Sequence, residues 1–292
     1  MIHKIAVIGG SGFLGSHAAD ALSSKGHKVV IFDKTYSHWK RADQDMIVGD
    51  LLETKAIESV VSGCDYVYHF AGLSDLDTNL DLPVETARIN ILGTVKLLEA
   101  CKNAGVKRII YASTMYVYSR EGGFYRCSKQ ACEEYIKEYQ KSFNLNFTII
   151  RFGSLYGPRS NEFNGLYRIV KEAIKTKKLR YKGSSETMRE YIHAYDMANA
   201  CVDFLNEKFI NQRLILTGKN MIKVKDMLNI IAEILGLNQS AVEFIEGEYN
   251  GHYIRTPYAY VSNLAKKYSP ELHVDLGQGI LDLIKDISKE DV

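Results

Sequence analysis

Six short apolar runs punctuate the first half of the chain: Ile5–Ile8, Val29–Phe32, Met46–Val48, Tyr66–Phe70, Arg108–Ala112 and Phe147–Ile150. Each is rich in Val, Ile, Tyr or Phe and is nearly continuous rather than alternating, the pattern of a strand covered on both faces. Between them lie amphipathic stretches. In Leu14–Leu22, for example, Leu14, Ala18, Ala21 and Leu22 share one helical stripe. Strand and helix repeating at this pitch predict βαβ units, right-handed crossovers and a mostly parallel, doubly wound α/β sheet.

After Arg151 the rhythm changes. Gly157-Pro158 breaks the pattern, and Leu166–Lys178 reads as a helix whose Lys171, Lys175, Lys177 and Lys178 form a solvated face. A second helix is expected over Val224–Leu235, stopped by Gly236. Asp196–Phe204 and Leu214–Leu216 read as a helix and a strand returning to the main sheet. The expected organisation is therefore a main domain over residues 1–155, rejoined by 190–217. Residues 156–189 and 218–292 form a small interleaved C-terminal cap. No internal repeat or low-complexity linker separates them.

Composition narrows the class without choosing a function. The 292 residues are 46% hydrophobic and 25% charged, ordinary for a globular protein with room for a buried core. A formal net charge of +2 gives no strong field toward nucleic acid or an anionic membrane surface. No stretch approaches the roughly 18 consecutive apolar residues of a membrane span. The opening residues lack the pattern of a signal peptide. Five cysteines without a CxxC pair read as free thiols in a reducing compartment. The expectation is a cytoplasmic enzyme or binding protein that takes neither nucleic acid nor membrane and holds no metal.

Gly9-Gly10-Ser11-Gly12-Phe13-Leu14-Gly15 directly follows the first run and opens the first helix. Glycines suit that turn because side chains would keep the backbone away from a diphosphate, whose charge favours a helix N-terminus. Asp33 ends the second run about 20 residues further on, where an acid accepts both ribose hydroxyls. A carboxylate there repels a 2′-phosphate and favours NAD over NADP, although Lys34, Lys40 and Arg41 lie nearby. Asp50, in Gly49-Asp50-Leu51, is placed to meet the adenine amino group. His69-Phe70-Ala71-Gly72 closes the fourth strand with small residues that let backbone approach a ligand. His69 itself reads as a packed strand residue.

Tyr-x-x-x-Lys puts a phenol and an ammonium one helical turn apart on one face. The cation stabilises the phenolate, as a general base near neutral pH requires. The pattern occurs three times, as Tyr36/Lys40, Tyr125/Lys129 and Tyr167/Lys171. Position decides. Only Tyr125 opens a helix just after a strand, Arg108–Ala112, at the carboxyl edge where a doubly wound sheet binds its ligands. Ser113-Thr114 ends that strand and offers a hydroxyl to the same crevice.

Together, Gly9–Gly15, Asp33, Gly49–Leu51, His69–Leu73, Asn90–Thr94, Ser113–Tyr118, Tyr125–Lys129, Arg151–Arg159 and Arg189–His193 resemble the extended short-chain dehydrogenase/reductase family. The similarity is to its NAD-dependent nucleotide-sugar epimerase and dehydratase branch, and the chain resembles UDP-glucose 4-epimerase-like proteins. It covers nearly the whole chain. The fold it implies is a Rossmann-type doubly wound parallel sheet with a small interleaved C-terminal substrate-binding cap.

The resemblance also implies roles. Thr114 would hydrogen-bond the reacting hydroxyl, Tyr125 would take its proton, and Lys129 would hold the nicotinamide ribose and tune the tyrosine. Hydride would pass from the sugar carbon, usually C4, to the nicotinamide. The implied cofactor set is Gly9, Gly12, Phe13, Leu14, Gly15, Asp33, Lys34, Asp50, Leu51, Phe70, Ala71, Gly72 and Asn90, with Tyr125 and Lys129. Ser74, Ser154, Arg159, Arg189 and Arg255 are the implied substrate contacts, the arginines for the diphosphate. Relatives suggest a homodimer or higher homo-oligomer through the helices expected around Asn90–Ala104 and Lys129–Phe143.

The departures sharpen the reading. Met115 and Tyr116 stand where sugar dehydratases carry an Asp-Glu acid/base pair, so elimination of water is not expected. The stretch from Thr114 to Tyr125 is short for the family, which suggests a more open site or a larger glycosyl group. Ser154 replaces a common asparagine, and Cys127 reads as a packed thiol. The expected activity is a nucleotide-sugar 4-epimerase. The alternatives are a net 4-dehydrogenase or a 4-ketosugar reductase. A non-catalytic NAD sensor is disfavoured because Thr114, Tyr125 and Lys129 are all present.

Overall fold

The structure is a computed structural model that describes residues 1–74, 81–245, 265–270 and 273–290. All six apolar runs form strands: β1 (Lys4–Ile8), β2 (Lys28–Asp33), β3 (Gln44–Val48), β4 (Tyr66–His69), β5 (Arg108–Thr114) and β6 (Asn146–Phe152). Helices α1 (Phe13–Ser24), α2 (Thr54–Val61), α3 (Gly93–Asn103) and α4 (Gly123–Phe143) connect them. Beyond β6 come β7 (Ser154–Tyr156), α5 (Gly165–Thr176), β8 (Leu179–Lys182), β9 (Met188–Arg189) and β10 (Tyr191–His193). The described chain continues through α6 (Ala194–Asp203), β11 (Gln212–Leu216), β12 (Ile222–Lys223), α7 (Val224–Ile234), β13 (Val242–Ile245), β14 (Lys266–Tyr268) and α8 (Leu276–Glu290).

Eight strands make one sheet in the order β14-β11-β6-β5-β4-β1-β2-β3, and every pairing in it is parallel. The chain starts at the centre, winds outward through β2 and β3, then crosses back to β4. The reversal between β1 and β4 is the switch point where such sheets bind their ligands.

The continuous apolar runs are explained by the two layers they serve. Along β1, Ala6 and Ile8 pack with Ile57, Leu97, Leu98 and Ile136 from α2, α3 and α4. Ile5 and Val7 point the other way, toward Ala18, Leu22, Met197 and Cys201 of α1 and α6. Neither face needs a polar residue, so alternation is lost. All seven residues of β5 are buried. Truncating a side chain packed against either face of the sheet, for instance Leu22→Ala on α1, costs about 2–5 kcal/mol.

A third apolar cluster forms off the sheet. Tyr156, Val170, Leu228, Ile231, Leu283 and Ile287 bring together β7, α5, α7 and α8. The small β8–β13 pair flanks it. Two details differ from the sequence reading. The helix expected over Asn90–Ala104 starts as a π-helical stretch, Ala87–Leu92, before α3. Asn90 explains this local widening: its side chain turns inward to bond the chain after β4. Strand β14 adds an edge to the sheet that Lys266-Lys267-Tyr268 did not announce.

Candidate active site

A cavity of about 640 Å³ runs along the carboxyl edge of the sheet, from the turn after β1 to the first turns of α4 and α5. At one end, Gly9 has φ +83°, and a Cβ there would lie 2.5 Å from the Ala71 nitrogen. A Cβ on Gly15 would lie 2.1 Å from the Gly9 carbonyl oxygen. These two positions must be glycine for β1, α1 and the chain after β4 to meet. Helix α1 has neither a side-chain N-cap nor an acid in its first turn. Its positive end therefore opens into the cavity with no acid or side-chain cap of its own. Asp33 Oδ2 accepts from the Ser11 amide at 3.0 Å, holding the carboxylate beside the same turn. Asp50 lines the wall opposite and caps Leu52, whose amide donates to its Oδ1 at 2.7 Å.

At the other end stand Thr114, Tyr125 and Lys129, all lining the cavity. Thr114 is the last residue of β5, and its Oγ1 accepts from the Tyr116 amide at 3.2 Å. That bond uses a lone pair and leaves the hydroxyl proton to donate. Tyr125 and Lys129 lie one turn apart on α4. Lys129 is buried, donates from Nζ to the Ala112 carbonyl at 2.7 Å, and sits 5.8 Å from the Tyr125 ring centre. Burial pushes its ammonium down to about 8, with Cys132 and Glu133 partly opposing the shift. Near neutral pH the ammonium is still the major form. It favours negative charge on the neighbouring phenol.

The structure brings together most of the residues singled out above. Gly9, Gly12, Phe13, Leu14, Gly15, Asp33, Lys34, Asp50, Leu51, Phe70, Ala71, Gly72, Ser74, Thr114, Tyr125 and Lys129 all line the one cavity. His69 is a packed strand residue, as read from sequence. Its Nε2 pairs with Thr94 Oγ1 at 2.9 Å, and burial pushes it down to about 3, so it stays neutral. The rival Tyr167 is buried in the third cluster.

Other residues are elsewhere. Asn90 supports the cavity wall without lining it: Oδ1 accepts from the Leu73 amide at 2.7 Å, and Nδ2 donates to the Leu73 carbonyl and to Ser128 Oγ, each at 2.9 Å. Arg159, expected as a substrate contact, is not among the described residues that line the cavity. Its Nη2 donates to Asp20 at 2.8 Å, its guanidinium carbon lies 4.7 Å from the Trp39 ring centre, and its amide donates to Asp286. Those partners draw it to the α1 side, away from the cavity lining. Ser154 pairs with Tyr191 through β7 and β10, and Arg189 is buried in the β9–β12 pair with Nη1 on the Met188 carbonyl. Neither is among the described lining residues. Arg255 lies outside the described residues. Cys127 is a correction, being exposed rather than packed; Cys132, five residues on, holds the buried position.

Several lining residues went unnoticed in the sequence. Asn161, Phe163, Asn164, Gly165 and Arg168 close the far end of the cavity. Asn164 caps α5, accepting from the Leu166 and Tyr167 amides. An Asn ahead of an amphipathic run was the available signal. The short Thr114–Tyr125 segment is compact. Met115–Tyr118 forms a 3₁₀ turn, and Arg126 Nη1 donates to the Ser119 and Arg120 carbonyls at 3.1 and 2.7 Å.

Comparisons with known proteins agree with this geometry. The model of the NAD dependent epimerase/dehydratase family matches residues 5–214. A putative UDP-glucose 4-epimerase of Methanocaldococcus jannaschii is 26% identical over 261 residues, covering 82% of this chain and 84% of that protein. A dTDP-D-glucose 4,6-dehydratase of Dictyostelium discoideum is 28% identical over 236 residues, covering 68% of this chain and 54% of that protein. The chain thus matches about half the length of that second relative. Among solved structures, UDP-glucuronic acid 4-epimerase of Bacillus cereus, in complex with UDP-glucuronic acid and NAD, superposes with a TM-score of 0.86 at 25% identity. That match covers 98% of this chain and 99% of the other. Among the described residues no helix is long and apolar enough to cross a membrane.

Proposed function

The chain belongs to the NAD dependent epimerase/dehydratase family of enzymes, and we propose that this member is a nucleotide-sugar 4-epimerase. The observation that carries the reading is one continuous cavity with a dinucleotide-shaped glycine turn at one end and Thr114, Tyr125 and Lys129 at the other. The glycine turn, uncapped α1 and Asp33 fit NAD. The Gly9–Gly15 turn would receive the diphosphate, Asp33 the ribose hydroxyls and Asp50 the adenine amino group. When bound, NAD supplies a reversible two-electron acceptor beside the sugar.

The protein's own groups handle the proton. Tyr125 takes it from the C4 hydroxyl as that carbon is oxidised and returns it to the oxygen when the carbon is reduced on its other face. Thr114 donates a hydrogen bond to the same oxygen. Lys129 keeps the charge that favours the phenolate while Ala112 fixes its position. Elimination of water would need an acid and a base beside the sugar. The described acids lining the cavity are Asp33, Asp50 and Glu85, and Glu85 is bound bidentately to Arg88.

The cap, residues 156–189 and 218–292, is the substrate-binding part in this reading, with 190–217 belonging to the main domain. Asn161, Phe163 and Arg168 support that assignment, and Arg168 takes the diphosphate role expected of Arg159. A homodimer through α3 and α4 is supported by Tyr135 and Phe143, which are 46% and 52% exposed two turns apart on α4. Five free thiols, four of them buried, support a reducing cytoplasmic setting.

The test is turnover. NAD-loaded protein is offered a panel of nucleotide sugars while reduced-nicotinamide absorbance is followed and products are identified by NMR. The expected outcome is inversion at C4 with no lasting absorbance rise. A lasting rise with a 4-ketosugar product would replace the epimerase with a net dehydrogenase. Tyr125→Phe should lower turnover by about 10²–10⁴-fold with NAD binding intact. Unchanged turnover would remove Tyr125 from the mechanism.

A further inference from the structure

Behind the reactive end of β5 lies a buried ion pair to which the chemistry above gives no role beyond the field of Glu133 at Lys129. Glu133 on α4 and Arg151 on β6 are 4% and 7% exposed. Arg151 donates from Nε to Glu133 Oε1 at 3.0 Å and from Nη2 to Oε2 at 2.6 Å, a bidentate fork. Ser113 Oγ donates to the same Oε1 at 2.6 Å. Ser113 and Arg151 face each other in the β5–β6 register. One carboxylate from α4 therefore gathers two neighbouring strands at their carboxyl ends.

The guanidinium has a second neighbour. The Tyr118 ring centre lies 4.6 Å from its central carbon, and Nη1 donates to the Tyr118 hydroxyl. Tyr118 closes the 3₁₀ turn that follows Thr114. Beyond it Gly122, at φ +93°, packs so closely that a Cβ there would lie 2.7 Å from the Tyr116 ring.

Stability alone is a poor reason for such a pair, because well-packed apolar replacements of buried ion pairs are often neutral or stabilising. Its placement supplies a better one. Ser113 immediately precedes Thr114, Glu133 lies one turn beyond Lys129, and Tyr118 sits within the short segment joining Thr114 to Tyr125. We propose that the Glu133–Arg151 pair, acting through Ser113 and Tyr118, is a positioning device that sets Thr114 against Tyr125 and Lys129. It lets a short segment hold the reactive groups in register without a longer covering loop. The inference rests on the reading of those three residues as the reactive set.

Tyr118→Phe tests it, since the ring can still stack on the guanidinium and only the hydroxyl is lost. Two readouts are taken on the NAD-loaded protein. Hydrogen exchange of the amides of residues 115–122, followed by mass spectrometry, should speed up severalfold while the melting temperature holds. With the nucleotide sugar that the wild type turns over, kcat should fall about tenfold with KM and NAD affinity unchanged, the signature of misplaced reacting groups. Glu133→Gln, which keeps the side chain's size, should move both readouts further in the same direction. Unchanged exchange, or faster exchange with unchanged kcat, overturns the proposal. So does a rise in KM that matches the fall in kcat/KM. If the wild type turns over no nucleotide sugar, the functional reading fails, and the exchange readout alone decides whether the pair holds the segment.

Discussion

Asp33 concentrates the choice between two cofactors in one carboxylate. Its Oδ2 is held by the Ser11 amide, and it lines the cavity beside Lys34. A ribose bearing a 2′-phosphate would bring a second negative charge against it, whereas two free hydroxyls would find an acceptor. Asp33→Ser should therefore weaken NAD binding about tenfold, the equivalent of about 1.4 kcal/mol. It should also narrow the preference over NADP, as read by calorimetric titration with each dinucleotide. An unchanged ratio would mean that Lys34, or shape, sets the preference. Asp33 was legible in the sequence because spacing from a glycine turn fixes where a strand ends. Arg159 was not. Its direction depends on Asp20, Trp39 and Asp286, which come from three distant parts of the chain.

Elements were legible where both sides of a strand are covered, because burial on two faces leaves an unbroken apolar run. β1, β4 and β5 are of this kind, and the chain at their carboxyl ends lines the cavity from Gly9 through Phe70–Ser74 to Thr114. The π-helical stretch Ala87–Leu92 was not legible, since Asn90 widens it to reach Leu73 across the fold. The wall contributed by Asn161–Arg168 was missed for a similar reason: only tertiary packing brings α5's first turn to the sheet edge. The turn between β1 and α1 separates two jobs that the glycines perform. Gly15 permits packing, since its Cβ would lie 2.1 Å from the Gly9 oxygen, whereas a Cβ on Gly12 meets only that oxygen at 3.4 Å. Gly15→Ala should thus lower the melting temperature and NAD affinity together. Gly12→Ala should cost under about 1 kcal/mol of stability at its N-cap position and chiefly weaken NAD binding. Thermal melts with and without NAD separate the cases. Equal loss of stability in both variants would show that the turn is a packing feature alone.

Across the whole molecule, the sheet and the third apolar cluster meet at two buried histidines. His17 of α1 pairs through Nε2 with the Pro158 carbonyl at 2.8 Å and packs edge-on to Tyr195. His193 caps α6 and packs between Tyr156 and Tyr195. Burial pushes each down to about 4 from an ordinary 6.5. Around His17, Arg159 adds to the burial effect, while the Pro158 carbonyl, Asp20 and Asp286 oppose it. Around His193, Asp282 opposes burial and His17 reinforces it. A histidine that is neutral when folded but ordinary when unfolded leaves the unfolded chain binding the extra proton. Stability is then complete above pH 6.5 and falls as pH drops from 6.5 toward 4, by up to about 3 kcal/mol for each site. His69 on β4, pushed down to about 3 by burial, adds a loss of the same sign, so urea midpoints should be level between pH 7 and 8 and decline steadily below 6.5. His193→Asn, which keeps a side-chain cap for α6, should flatten part of the decline. A decline of the same steepness in that variant would assign the acid sensitivity to other groups.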